Sequence, residues 1–139
     1  CYGKQRFEYA VYVGKPEMTT AQVIAESRKY ITPPIAAELG AGTGGQLAQE
    51  LSFLKKENDR VVISCLKRCE KDEKALILRL YNPTDSVQQD HLTFDKPIRS
   101  AMLTDMKEEP VETLSANGTQ LSVQLNAYQI VTLRLEIEA

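Results

Sequence analysis

Ala75-Leu76-Ile77-Leu78-Arg79-Leu80-Tyr81 is the stretch that decides the fold, because Leu76, Leu78 and Leu80 alternate with the residues between them. The same period of two runs through Leu121-Ser122-Val123-Gln124-Leu125. It returns at the end of the chain, where Val131, Leu133, Leu135 and Ile137 face one way and Thr132, Arg134 and Glu136 the other. A period of two belongs to strands with one face in a core and the other in water. Working outward, strands are expected at about 48–54, 61–68, 75–81, 87–93, 98–104, 111–114, 119–125 and 128–137. Turn residues separate them at Glu57-Asn58-Asp59, Lys71-Asp72-Glu73, Asn82-Pro83-Thr84-Asp85, Asp95-Lys96-Pro97 and Asn117-Gly118. Asn117-Gly118 is the strongest of these, since both residues tolerate the positive φ of a tight hairpin turn. Strands at this spacing with no helices between them predict an antiparallel sandwich.

Upstream, Phe7 to Val13 reads as a strand with Phe7, Tyr9, Val11 and Val13 on one face, ended by Gly14-Lys15-Pro16. It either completes the sheet of 48–137 or belongs to a sheet whose partners precede Cys1. Thr19 or Thr20 can cap a helix through about Tyr30, because a threonine hydroxyl accepts a free amide of the first turn. Its inner face would run through Val23, Ile24 and Ser27, with Ile31 continuing it. Pro33-Pro34 forbids further helix, and 35–39 is a short extended piece. The glycine-rich run 40–45 lacks both the following helix and the Lys-Ser or Lys-Thr pair of a phosphate loop, so it reads as a flexible connector. The fold class is therefore mainly β, an antiparallel β-sandwich with one short N-terminal helix. It forms a single domain over 1–139: a strand-helix-extended segment (1–39), a Gly-rich connector (40–46) and a strand ladder (47–139).

The 139 residues carry a net charge of −2 and 26% charged residues, with no basic patch of the kind that binds nucleic acid. No apolar run reaches the ~20 residues of a membrane helix, so no membrane partner is expected. A first residue of Cys rather than Met, with strand-like sequence almost at once, leads us to expect a fragment of a longer protein. Cys65 and Cys69 would sit ~13 Å apart along one strand, too far for a disulfide. With a single histidine, His91, the chain lacks the roughly four ligands of a zinc site. The cysteines read as ordinary thiols of a reducing compartment, and His91 as an exposed strand or loop residue.

No catalytic residue and no metal ligand emerge. Glu108-Glu109 beside Asp105 could suggest a glycosidase pair, but adjacent residues of an extended chain point to opposite faces. They also precede Pro110 in what reads as an exposed turn. A working pair must face each other across a cleft. No Ser/His/Asp arrangement is readable. Sugar recognition would need exposed rings. The chain has no Trp, three Phe and six Tyr. Phe7, Tyr9 and Phe53 read as core, which leaves Tyr12 and Tyr81. Arg79 shares the face of Tyr81, and Asn82 follows at the turn. Arg79, Tyr81, Asn82 and Tyr12 are thus the candidates for an interdomain or glycan contact.

Several segments carry a family resemblance in their order and spacing. They are Gln5-Arg6-Phe7-Glu8-Tyr9-Ala10-Val11-Tyr12, Arg60-Val61-Val62-Ile63-Ser64-Cys65-Leu66-Lys67, Ala75 through Pro83, Asp105 through Pro110, and Tyr128 through Leu135. Together they resemble the C-terminal β region of glycoside hydrolase family 38, the retaining α-mannosidases. The resemblance covers most of the chain, with the Gly-rich loop and 87–97 least matched. It implies a parent enzyme in which a zinc-containing α/β barrel, with two His and two Asp as ligands and an Asp nucleophile, precedes a helical bundle and terminal β-sandwich regions. None of those residues can be carried over to a chain with one histidine. The resemblance implies a non-catalytic C-terminal domain of a bacterial-type, cytoplasmic enzyme that releases terminal α-linked mannose. The fragment alone would be inactive, needing no cofactor while zinc serves the parent. Its partners would be the upstream catalytic domain, carbohydrate through the parent enzyme, and a second copy if the parent forms a homo-oligomer. The alternatives are a free-standing carbohydrate-binding module and a sandwich for protein–protein contact.

Overall fold

The computed structural model describes residues 2–38, 40, 45, 48 and 50–138. The element order is α1 (Thr20–Ile31), then β1 (Leu54–Lys56), β2 (Val62–Arg68), β3 (Ala75–Tyr81), β4 (Gln88–Phe94), β5 (Ile98–Thr104), β6 (Pro110–Leu114), β7 (Gln120–Leu125) and β8 (Ile130–Ile137). All strand pairings are antiparallel. One sheet has the order β1-β4-β7 and the other β2-β3-β8-β5-β6. The protein is the antiparallel sandwich with one short helix that the alternation predicts.

The alternation explains the core. Leu78 and Leu80 of β3, Ala101 of β5, and Val131, Leu133 and Leu135 of β8 face inward from the larger sheet. Leu92 and Phe94 of β4 and Leu121, Val123 and Leu125 of β7 face them from the smaller one. Burying a side chain of this size contributes roughly 1.5–3 kcal/mol, and the interdigitated layer fixes the register of both sheets.

Four local features depart from the sequence reading. The Asn117-Gly118 turn does not close a hairpin within one sheet. It carries the chain from β6, at the edge of the larger sheet, to β7 in the smaller. Asn117 and Gln120 exchange backbone hydrogen bonds of 2.9 and 3.0 Å, so the central pair is Gly118-Thr119. Gly118, at φ +59°, takes the positive φ that a two-residue loop requires. The strand expected over 48–54 is displaced to Leu54–Lys56, where Leu54 pairs with Phe94 at the end of β4. It ends where the amides of Glu57 and Asn58 turn to the buried Asp90 carboxylate, at 3.0 and 2.9 Å. The 40–46 connector lies largely outside the described residues.

The third departure is the N-terminal segment. Phe7 to Val13 forms no ladder with any described residue, and Phe7 and Tyr9 are 82% and 88% exposed instead of core. Without a paired neighbour or an opposing layer, its apolar face is covered by nothing described. The helix does form where threonine capping predicts. The Thr19 hydroxyl accepts the Gln22 amide at 3.3 Å, and the Gln22 carboxamide accepts the Thr19 amide at 2.9 Å. Its orientation differs, however. Ala21 is buried, Ile24 half-buried, and Val23, Ser27 and Ile31 exposed. Ala21, Ala25 and Arg28 line a cleft against Val61, Val62 and Ile63, and the Arg28 guanidinium donates to the Ile63 carbonyl. Two alanines allow a closer approach than the Val23 face would.

Candidate functional site

The outer face of the five-stranded sheet is where polar chemistry concentrates. Period-two alternation places it in water, but it is largely covered. Thr132 and Ile77 are buried there, and the Arg134 side chain is only 15% exposed. The cover comes from two loops, the β2–β3 connection and the β5–β6 connection. Cys69 at the start of the first packs with Ala75 and Ile77 in a small second core.

Charge is handled pairwise on this face. Arg134 Nη2 lies 2.5 Å from Asp72 Oδ2 and 3.2 Å from Glu136 Oε1. Lys67 Nζ lies 2.7 Å from both Glu108 Oε1 and Glu70 Oε1. Lys71 pairs with Glu109. Glu108 is the pivot. Its φ is +66°, uncommon for a residue with a Cβ. The turn is held by Asp105 Oδ1, which accepts the amides of Lys107 and Glu109 at 2.8 and 2.9 Å. That bend sends Glu108 inward, with a side chain 7% exposed, where it also accepts the Glu70 amide at 2.9 Å. The Lys67 ammonium first, and the Glu70 amide second, hold the Glu108 carboxyl down at about 2. Lys67 is correspondingly raised by Glu108 and Glu70. The sequence reading of Glu108 in an exposed turn is thus corrected. Glu109 does remain on the surface.

The four residues singled out from sequence are not brought to one place. Arg79 and Tyr81 lie two apart on β3, half-buried on the outer face, beside Thr132 and Ile130 of β8. Arg79 Nε donates to Thr132 Oγ1 at 3.1 Å. Asn82 is 1% exposed, and its carboxamide is spent internally. Nδ2 donates to the carbonyls of Ser86 (2.7 Å) and Asn126 (2.8 Å), and Oδ1 accepts from the Thr84 amide (3.0 Å) and hydroxyl (2.7 Å). It clamps two loops together and has no surface to offer a ligand. Tyr12 is exposed, in a cleft of about 670 Å³ between the N-terminal segment and α1 that Tyr9, Met18, Tyr30 and Ile31 also line. His91 is exposed on β4 with Nδ1 2.8 Å from Ser122 Oγ. Cys65 and Cys69 are free thiols. Among the described residues no three His, Cys, Asp or Glu side chains converge as a metal site, and no helix is long and apolar enough to cross a membrane.

Sequence reasoning missed Tyr128, a 70% exposed aromatic held at φ +58° in the Asn126–Gln129 turn that Asn82 secures. Its only sequence signal was the apolar ring at a predicted strand start.

Comparison with known families finds a match over the strand ladder. The model of the "Glycosyl hydrolases family 38 C-terminal beta sandwich domain" matches residues 60–133, more than half of the 139-residue chain. The chain belongs to this family. The family 38 match runs from just before β2 into β8, so Lys67, Glu70, Lys71, Glu108 and Glu109 fall within it, Arg134 and Glu136 lie just past it, and the N-terminal segment, α1 and β1 precede it. No curated protein matches the chain. Among solved structures, a GH30 endoxylanase from Clostridium papyrosolvens C71 is similar at 14% identity and a TM-score of 0.41. That similarity covers 58% of this chain and 21% of the endoxylanase, so the chain spans about a fifth of that protein's length.

Proposed function

We propose that this sandwich is a non-catalytic C-terminal domain of a retaining, zinc-dependent α-mannosidase and braces the catalytic domain of that enzyme. The family 38 match over 60–133 carries the reading. The carboxylates that sequence alone could offer for glycoside cleavage support it, because they are engaged elsewhere. Glu108 is tied to Lys67, Glu109 to Lys71, and Asp105 to its own turn. Retaining hydrolysis needs two carboxyls about 5–5.5 Å apart across a substrate cleft, and these three are committed to holding a loop. The residues present do not fit the zinc of the family either. A site built on two histidines cannot be made from His91 alone, so zinc would be held by the catalytic domain. Free Cys65 and Cys69 are compatible with the cytoplasm as its compartment.

The test is hydrolysis of an aryl α-mannoside by the parent enzyme and by the 139-residue chain, each with and without zinc. Zinc-dependent turnover by the parent and none by the chain is the expected result. Mannose release by the chain alone would sink the reading.

A second reading, direct glycan binding, is favoured by the cleft in which Tyr9, Tyr12 and Tyr30 gather. Exposed rings of this kind can stack on sugar faces. Binding of mannosides by the isolated chain, lost in Tyr12→Ala and retained in Tyr81→Ala, would place it there.

A further inference from the structure

Arg79 breaks the pairing rule of the outer sheet face. Lys67, Lys71 and Arg134 each have a carboxylate within ion-pair distance. Arg79 lies on β3 between the strands bearing Lys67 and Arg134, is half-buried, and has no carboxylate partner among the described residues. The nearby carboxylates are already engaged: Glu70 and Glu108 with Lys67, Asp72 and Glu136 with Arg134. A partly desolvated guanidinium without a counter-charge is costly and is normally paired.

A place for the missing charge adjoins it. A pocket of about 220 Å³ is lined by Lys67, Glu70, Arg79, Met106, Lys107 and Glu108. Lys107 also makes no ion pair among the described residues, so three cations face two carboxylates, both already engaged by Lys67. The hydrogen bond from Arg79 Nε to Thr132 Oγ1 anchors the guanidinium and leaves its Nη groups unspent. The positive φ of Glu108 turns that carboxylate down onto Lys67, and Lys107 precedes it on the same constrained loop. Guanidinium is suited to bidentate contact with planar oxyanions.

We infer that the Arg79–Lys107 pocket binds an oxyanion, a carboxylate or a phosphate-type group, with Arg79 as the bidentate donor and Lys107 as the second cation. This rests on the geometry of the chain and is independent of the mannosidase reading.

The test is a titration of the ¹⁵N-labelled chain with inorganic phosphate and, separately, with acetate at constant ionic strength. Saturable shifts are expected at the Arg79 Nε–H and at the amides of Met106, Lys107 and Glu108, with a dissociation constant on the order of 1 mM. Tighter binding of phosphate identifies a phosphate-type ligand, and equal or tighter binding of acetate a carboxylate such as an acidic side chain of a neighbouring domain. Arg79→Gln should weaken binding about tenfold, the loss of a charge-assisted pair. Lys107→Gln, on an exposed loop where folding is not at stake, should weaken it about threefold. Non-saturable shifts spread over the lysines, or unchanged affinity in a folded Lys107→Gln and a folded Arg79→Gln, would overturn the inference.

Discussion

The Glu108 carboxylate meets the Lys67 ammonium at 2.7 Å, joining the β5–β6 loop to the strand β2 that begins the larger sheet. The contact holds a loop closed over a sheet face. Glu108→Gln should lower stability by about 1 kcal/mol, because the amide of Glu70 keeps an acceptor while the charge is lost. Glu108→Ala should cost more, about 2 kcal/mol, since that amide then has none. Chemical denaturation of the three proteins checks the order.

Acid should release the same contact. The folded-state pKa of Glu108, about 2, lies below the 4.5 of the free side chain. A depressed carboxylate contributes stability that is fully present above the unfolded value and is lost as pH falls through the folded one. Stability should therefore fall between about pH 4.5 and pH 2, and Glu108→Gln should flatten that slope. Unfolding midpoints measured from pH 5 to pH 2 would show it. Parallel slopes for both proteins would refute the assignment.

Ile77 separates a covered face from a wet one. It lies on the side of β3 that alternation assigns to solvent, yet it is fully buried with Cys69 and Ala75. Ile77→Ala should cost about 2–4 kcal/mol, a core-like penalty. On a solvated face the change would stay within about 0.5 kcal/mol.

Asn82 should matter through the loops it binds. Asn82→Ala removes donors from the carbonyls of Ser86 and Asn126 and an acceptor from Thr84. A loss of about 3 kcal/mol is expected from several buried partners left unsatisfied. Hydrogen exchange should quicken at Thr84 and Tyr128, whose backbones are hydrogen-bonded to each other at 3.1 Å.

Tyr128 is expected to show the reverse sign. Its φ of +58° is unfavourable for a bulky L-residue, and its ring is exposed. Tyr128→Gly should therefore raise stability by up to about 1 kcal/mol, read as a higher melting temperature. A lower melting temperature would mean that the ring contributes packing to the chain itself.

Much of the sandwich was readable residue by residue. Leu78, Leu80, Leu133 and Leu135 are core because alternation at period two is a property of neighbouring residues. Thr19 capped its helix for an equally local reason. Phe7 and Tyr9 followed the same local rule and came out exposed, because a strand also needs a partner. The helix face was misjudged because Ala21 and Ala25 fit against the sheet where larger residues would not. Of the candidate site, Arg79 and Tyr81 were placed correctly on one face of β3. Asn82 could not be separated from them, since adjacency in sequence says nothing about burial.

By itself, then, the sequence determined the β class, the strands from β2 to β8 and the inward residues of that ladder, because each depends on a few consecutive positions. Only the tertiary structure decided what covers the outer face. Glu108 and the Glu70 amide it holds are 38 residues apart, and Asp72 and its partner Arg134 are 62 apart. Whether a charge on a strand finds a counter-charge depends on loops folded back from elsewhere in the chain. That distant choice leaves Lys67 and Arg134 paired, and Arg79 with a pocket beside it instead of a carboxylate.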